Sequence, residues 1–365
     1  MSRVRAPHLA LAVAALLLVG LAAPGTPPAR ATPDRVSALG GSWFAVGYNY
    51  PWHRYNYDFG DDAGENIHGQ YAALDAQLAD LQASGTHVTR WYVFNDGERY
   101  PLFDRNGQVT GLPASFYQNF DDMLALASAH NVYVIPVLWD SPVAKRGRNH
   151  AAVITDAGVR QSYLDNVLRP LLQRYGRNPT ILAWSVMNEP DWPAGFTNDR
   201  SFQRIPVDQL RAFIQAHVQY VRTYASQAVT IDAGGLPWLD RWTDLGLDLY
   251  LVHWYPWIDR DYGAQYSPYN RAADSFNVDK PIVIAEFPLK STPYSVQQSL
   301  DTFYANGYAG ALGWCYPNNV DEFCDQGSYN SSRDTFRAWA QGHQAEVNIR
   351  PMQGLVPGPW SGWRG

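Results

Sequence analysis

Short apolar stretches rich in β-branched and aromatic residues recur along the chain, separated by segments with a helical repeat. The apolar runs are Trp43–Tyr50, Val88–Phe94, Val132–Trp139, Ile181–Met187, Ala228–Asp232, Asp248–Trp254, Ile282–Glu286 and Ala309–Cys315. Their length and composition predict buried strands. Between several of them, apolar residues fall at i, i+3 and i+4, the spacing of one helix face. Tyr71, Leu74, Leu78 and Leu81 form one such face, and Phe116, Phe120, Met123 and Leu124 a second. Val159, Tyr163, Leu164, Val167, Leu168, Leu171 and Tyr175 form a third, and Leu210, Phe213, Ile214, His217, Val221 and Tyr224 a fourth. Gly or Asn follows several of these segments, as in Ser84-Gly85, His130-Asn131 and Gly176-Arg177-Asn178.

Strands alternating with helices predict a parallel sheet with helices packed outside it. Eight such units in about 300 residues match an α/β fold of the single (β/α)8 TIM-barrel type with extended βα loops. A doubly wound open sheet is the alternative, but no G-x-G-x-x-G follows the first strand, and polar residues gather at the C-terminal ends of many different strands. That is where barrels carry their sites. The long segment after the first strand, Tyr48 to Tyr57 and on to Gly69, is rich in aromatics and predicts a functional loop.

The two termini are expected to lie outside this fold. Arg3 and Arg5 precede an apolar run from Leu9 to Ala23, and Ala29-Arg30-Ala31 supplies a small-residue cleavage pattern. This order predicts a secretory signal peptide over residues 1–31, the apolar run being shorter than the roughly 20 residues that span a bilayer. Residues 32–39 are expected to form a linker, residues 40–345 the catalytic barrel, and residues 346–365, with their Pro, Gly and Trp, a C-terminal tail. The expected protein is extracellular, monomeric and free of the membrane after signal removal.

Composition narrows the function. A net charge of −6 without any basic run gives no footprint for nucleic acid. The nine His are scattered, with no H-x-x-x-H or C-x-x-C, so neither a metal nor a cofactor is expected. The two cysteines, Cys315 and Cys324, predict one disulfide in an exported chain. Aromatic residues make up 14% of the chain, including 14 Trp and 23 Tyr, and many fall at predicted strand ends, where flat faces can stack on sugar rings. Trp139, Trp192, Trp254 and Trp257 are candidates for such walls.

Chemistry concentrates in two places. The fourth run, Ile181 to Met187, ends in Asn188-Glu189-Pro190, and the seventh ends in Glu286. Pro190 is expected to hold Glu189 on extended backbone at the strand mouth. A carboxylate ending an apolar strand costs free energy unless it is paired or used. Strands four and seven face each other across one barrel mouth, and glycoside hydrolysis needs two carboxylates flanking the scissile bond.

The pattern resembles the clan A glycoside hydrolases, retaining (β/α)8 enzymes, and most of all family five, the cellulase and mannanase family. The resemblance runs from about residue 43 to 316. It implies that Glu189 is the general acid/base and Glu286 the nucleophile. It also implies supporting or substrate-binding roles for Arg90 on strand two, Asn188, His253 and Tyr255 on strand six, and Trp314 on strand eight. Asn49 belongs to the same expected set. Strand three departs from the family pattern: it ends in Trp139-Asp140, where the family commonly has a His. Trp139 or Asp140 is expected to take its place. Asp191 and Asp232 also end strands and are read as surrounding or loop residues. The substrate implied is a β-linked glycan of glucan or mannan type. Transglycosylation through the same intermediate and a non-catalytic carbohydrate-binding barrel are the alternatives.

Overall fold

The structure is a computed structural model that describes residues 35–38, 41–147, 150–276, 278–317 and 325–348. The predicted signal peptide, Cys324 and residues 349–365 of the predicted tail lie outside the described residues.

Eight parallel strands form one sheet: β1 (Ala45–Tyr48), β2 (Val88–Tyr92), β3 (Tyr133–Asp140), β4 (Ala183–Asn188), β5 (Ala228–Ala233), β6 (Tyr250–His253), β7 (Ile282–Pro288) and β8 (Gly310–Trp314). Their order around the sheet is β1-β8-β7-β6-β5-β4-β3-β2. β1 and β2 close the ring, with His87 N–H donating to the Val46 carbonyl at 3.0 Å and Tyr50 N–H to the Arg90 carbonyl at 3.3 Å. Gly47 permits this seam, because a Cβ there would lie 2.4 Å from the Val88 carbonyl oxygen.

The strands are buried on both faces, which explains why they read as continuous apolar runs. Inside the barrel, Tyr133 and Ile135, Leu249 and Leu251, and Val283 and Ala285 alternate along their strands and pack together with Val88, Ala183 and Leu312. The outer cluster joins the strands to helices α1 (Tyr71–Ala83), α2 (Phe116–Ala129), α3 (Val207–Tyr224), α4 (Val296–Ala305) and α5 (Gln326–Gly342). The third predicted face is one long helical segment, Ala157–Tyr163, Leu164–Leu168 and Arg169–Tyr175, with a π-helical turn in the middle. Leu74, Leu78 and Leu81 of α1 are buried as expected, whereas Tyr71 at its start is 39% exposed.

Three features differ from the simple pattern. The β5-to-β6 connection carries only a 3₁₀ segment, Leu236–Trp242, in place of a full helix. Part of the expected linker is a strand: Val36–Ala38 pairs antiparallel with Gly41–Trp43, and Val36 joins the interior cluster. The tail predicted from residue 346 instead begins as helix, Gln344–Val347, with the Glu346 carbonyl accepting from Phe44 N–H at 2.9 Å.

Phe120 ties α2 to the barrel, its ring lying 4.5 Å from that of Tyr175 and 6.2 Å from that of Trp184. Phe120→Ala should therefore destabilise the protein by about 3–5 kcal/mol in urea unfolding. A loss below about 1 kcal/mol would show that this contact does not hold the helix to the sheet.

Candidate active site

A cleft of about 630 Å³ opens at the C-terminal ends of the strands. Asp140, Asn188, Glu189 and Glu286 line its floor, and Trp314 and Tyr92 lie beside them. The floor depends on breaks in strand alternation. Register irregularities occur between Ser185 and Asn188 of β4 against β5, between Val252 and His253 of β6 against β7, and between Ile284 and Phe287 of β7 against β8. Such bulges re-aim side chains. Ala285 belongs to the interior cluster, and the next residue, Glu286, also reaches the cleft.

Arg90 is the centre of the floor and is fully buried. Its Nη1 donates to Glu286 Oε1 at 2.7 Å and to Asn49 Oδ1 at 2.9 Å. Its Nη2 donates to Asn188 Oδ1 at 2.7 Å and to the Tyr92 hydroxyl at 2.9 Å. Nε faces Asp232 Oδ1 at 3.1 Å, an ion contact without the alignment of a hydrogen bond. Asn49 is also fully buried and donates to the carbonyls of Ala285 and Gly313, so it holds Arg90 and β7 rather than facing the cleft.

Glu286 receives two further hydroxyl donors, Tyr255 on Oε2 at 2.9 Å and Tyr92 on Oε1 at 3.2 Å. Burial pushes its carboxyl above the ordinary carboxylate range, while His253 and Arg90 pull against that shift. Glu189 lacks such a cluster of donors. Burial lifts its carboxyl to about 7, with Trp192 and Arg90 opposing. His253 spans the two: Nδ1 is 3.0 Å from Glu189 Oε1, and Nε2 is 3.2 Å from Glu286 Oε1. The first contact is a hydrogen bond; the second has the distance but not the alignment. Burial lowers the His253 pKa to about 4, so the ring between the carboxyls is neutral near neutral pH.

The Glu189 backbone differs from expectation. It is not extended but left-handed, with φ of 49°. Pro190 disfavours the right-handed helical region, and a hydrogen bond from Glu189 N–H to the Asp232 carbonyl, at 2.7 Å, fixes the alternative. A non-glycine residue in this region stores on the order of 1–3 kcal/mol, held here by the surrounding barrel.

At the end of β3, Asp140 lines the cleft and Trp139 does not. The Trp139 side chain is fully buried, packing against Phe94 and Tyr163 at ring distances of 5.3 and 5.2 Å. Trp139 is therefore a core residue, correcting its expected place in a subsite. Trp254 is likewise buried, with its indole N–H on Asp259. Trp192 and Trp257 do line the cleft, 6.0 Å apart, and are joined there by Trp52 from the loop after β1. That loop is pinned by Asp58, which accepts from the N–H groups of His53 and Arg54 and from the Trp91 indole. Cys315 is buried beneath the cleft, but the expected bridge reaches Cys324, outside the described residues.

One contributor went unread in the sequence, and another was read only as a strand-end residue around the site. Tyr92 follows Arg90 by two residues, so both point to one face of β2, and period-two counting from Arg90 would have found it. Asp232 is fully buried and accepts from the Ser185 hydroxyl, an arrangement that only the register of β4 against β5 brings together. Among the described residues, no group of His, Cys, Asp and Glu is arranged to hold a metal ion.

Comparison with known proteins agrees with this geometry. No family model matches the chain. It is 25% identical over 313 residues to the mannan endo-1,4-β-mannosidase of Mytilus edulis, covering 74% of this chain and 83% of the relative. The corresponding enzyme of Cryptopygus antarcticus is 25% identical over 322 residues, covering 76% and 81%. The crystal structure of the endo-1,4-β-mannanase from Eisenia fetida superposes with a TM-score of 0.72 at 25% identity, covering 83% of this chain and 92% of that one. The fold and these relatives define a (β/α)8 glycosidase that hydrolyses O-glycosyl bonds. In sequence and fold the chain is similar to the clan A retaining glycoside hydrolases, most of all family five.

Removing the central cation should leave buried acceptors unpaired. Arg90→Met is expected to cost about 3–5 kcal/mol of stability near neutral pH. Without the guanidinium, the Glu286 carboxyl moves further up. A carboxyl whose folded-state pKa exceeds its unfolded value costs stability above that pKa and recovers as pH falls through it. The deficit, read by thermal and urea unfolding, should therefore be smaller at about pH 5 than at about pH 8. A pH-independent deficit would show that packing, not charge, is what Arg90 contributes.

Proposed function

We propose that the chain is a secreted endo-acting β-mannanase that cleaves β-1,4 linkages within mannan by double displacement. Glu189 acts as general acid/base and Glu286 as nucleophile. The observation that carries this assignment is the unequal setting of the two carboxyls on opposite nitrogens of His253. Glu286 is held by Arg90, Tyr92 and Tyr255, which favour its anion. Glu189, only partly exposed at the cleft and with fewer donors, is lifted by desolvation to about 7, the state a proton donor needs. Two carboxyls in environments that separate their roles are the signature of acid and nucleophile at a glycosidic centre.

The neutral imidazole fits the same division. With its one proton on Nδ1, the imidazole donates to Glu189 Oε1 and leaves the acid proton on the other carboxyl oxygen, free for the leaving group. Glu286 attacks the anomeric carbon as the glycosidic bond breaks, giving a glycosyl-enzyme ester. Water, deprotonated by Glu189, then releases the sugar with its configuration retained.

Mannan as substrate is supported by the names shared by the relatives from Mytilus edulis, Cryptopygus antarcticus and Eisenia fetida. Action within a chain is supported by a cleft lined with two aromatic groups, Trp52 packed with Tyr92 and Trp314, and Trp192 beside Trp257. Export is supported by the signal-like order of residues 1–31, and no described helix is long and apolar enough to cross a membrane.

Glu286→Ala should lower turnover of mannan by at least about 10⁴-fold with an unchanged melting midpoint; retention of a tenth of the activity would remove it as nucleophile. Because Glu189 must be protonated, kcat/KM should fall as pH rises through about 7. Glu189→Gln should abolish that alkaline fall on aryl glycosides with good leaving groups. A persistent fall at the same pH would assign it to another group. Proton NMR of the first product should show the retained anomer, and inversion would exclude the double displacement.

A further inference from the structure

Asp191 lies two residues beyond Glu189 and is fully buried, away from the residues that line the cleft. Both of its carboxyl oxygens are occupied. Oδ2 accepts from Gly234 N–H at 2.5 Å and Oδ1 from the Trp242 indole at 2.8 Å. Its carbonyl accepts from the N–H groups of Gly195 and Phe196, both at 3.1 Å. Burial lifts the carboxyl to about 7, with the two N–H donors on its oxygens pulling against that shift. Each oxygen keeps acceptor capacity whether or not the group carries a proton, so these contacts do not depend on its charge. Burying a carboxyl is costly, and an apolar side chain would fill the same space without that cost. What the carboxyl adds is its hold on two N–H groups.

One of those N–H groups belongs to the strand end that already holds Glu189. Glu189 N–H donates to the Asp232 carbonyl at 2.7 Å, and Gly234 follows Asp232 by two residues at the end of β5. The turn Glu189-Pro190-Asp191 is therefore fastened to β5 on both sides, by a backbone bond before it and a side-chain bond after it. Between these two bonds Glu189 sits in left-handed backbone, with φ of 49°. Pro190 disfavours right-handed helix for Glu189 but leaves extended backbone open. Gly234 also makes room for the arrangement. A Cβ there would stand 3.3 Å from Asp191 Oδ2 and 3.6 Å from Glu189 Cγ, so the backbone at 234 lies beside both acidic side chains.

We propose that Asp191 is a positioning residue for the acid/base: by fastening the turn to Gly234 it holds Glu189 in its left-handed conformation and so aims the Glu189 carboxyl at the leaving oxygen. This rests on the reading of Glu189 as general acid. Released at Asp191, the turn can relax toward extended backbone and carry the carboxyl off its contact with His253 Nδ1, now 3.0 Å. A displaced acid fails selectively. A leaving group that departs without a proton is cleaved as before, whereas a poor leaving group is cleaved slowly. Misplacing a reacting group by about 1 Å costs on the order of 100-fold, within the roughly 10²- to 10⁴-fold that general acid catalysis supplies.

The test uses Asp191→Ala, which removes both holds. kcat/KM is compared for wild type, D191A and Glu189→Gln on dinitrophenyl and phenyl β-mannobiosides, with the melting midpoint measured alongside. D191A should lose about 100-fold on the phenyl glycoside and less than about 10-fold on the dinitrophenyl glycoside, in the same direction as E189Q. An equal loss on both substrates would make Asp191 a structural support and overturn the proposal. Trp242→Phe separates the hold on Gly234 from packing. It takes away the other donor to Asp191, so it should lower the melting midpoint while changing both substrates equally. A split there as large as that of D191A would overturn the role given to Gly234. If D191A does not fold, Gly234→Ala replaces it, because the new Cβ crowds Asp191 Oδ2 at 3.3 Å and meets Glu189 at ordinary contact distance. G234A should show the same split, at about 10-fold, and equal changes on both substrates would overturn the proposal. Equal losses in E189Q would remove Glu189 as the acid and the positioning role with it. A split in E189Q without one in D191A would overturn the positioning role alone.

Discussion

One buried guanidinium organises the floor of this barrel. Arg90 has no contact with solvent, and its nitrogens meet Glu286, Asn188, Tyr92, Asn49 and Asp232, residues drawn from five strands or their ends. A buried cation is costly in isolation and tolerable only when its donors are matched. The matching has a structural consequence: each partner is held in one orientation, because turning it away would strand a buried charge. The Glu286 carboxylate, the Asn188 amide and, through that amide, the Asp140 carboxyl all inherit their placement from this ion.

Upon that floor the two glutamates are treated differently. Glu286 is surrounded by donors, two of them tyrosine hydroxyls, and Glu189 projects from a left-handed residue into a setting where burial dominates. Between them His253 is kept neutral by its own burial. A charged imidazole there would favour both carboxylates as anions and erase the difference between them. The same desolvation that raises Glu189 thus also protects the device that keeps the two carboxyls distinct. Under the proposed assignment, a modest local strain at Glu189 and a costly buried cation at Arg90 are what the apolar shell of the barrel holds in place.

The walls of the cleft come from a different source than its floor. Trp52, Trp192 and Trp257 arrive on loops and short helices beyond the strand ends, and Trp314 ends β8. The floor is rigid because it belongs to the sheet. The walls depend on loop anchors such as Asp58, which gathers two backbone N–H groups and the Trp91 indole beneath the long loop after β1. This division lets the groups nearest the reacting centre stay fixed while the surfaces that contact the rest of a sugar chain vary.

The eight strand runs, the faces of their flanking helices and the clustering of polar residues at strand C-termini are written in local composition and periodicity. They depend on which residues are apolar and how they are spaced. Glu286 and the Asn188-Glu189 pair were legible because a polar residue ending an apolar strand is unusual by itself. What spacing could not decide is which side of a strand each residue faces near its end. Strict alternation from Tyr133, Ile135 and Val137 would turn Trp139 into the barrel and Asp140 outward, and the structure does the opposite. The bulge in β7 likewise lets Glu286 follow Ala285 onto the inner side. A bulge changes the face of every residue beyond it while leaving composition untouched, so it is visible only once strands are paired. For the same reason Asp232 could be read as a strand end but not as a partner of Arg90. That contact spans 142 residues and exists because the barrel closes.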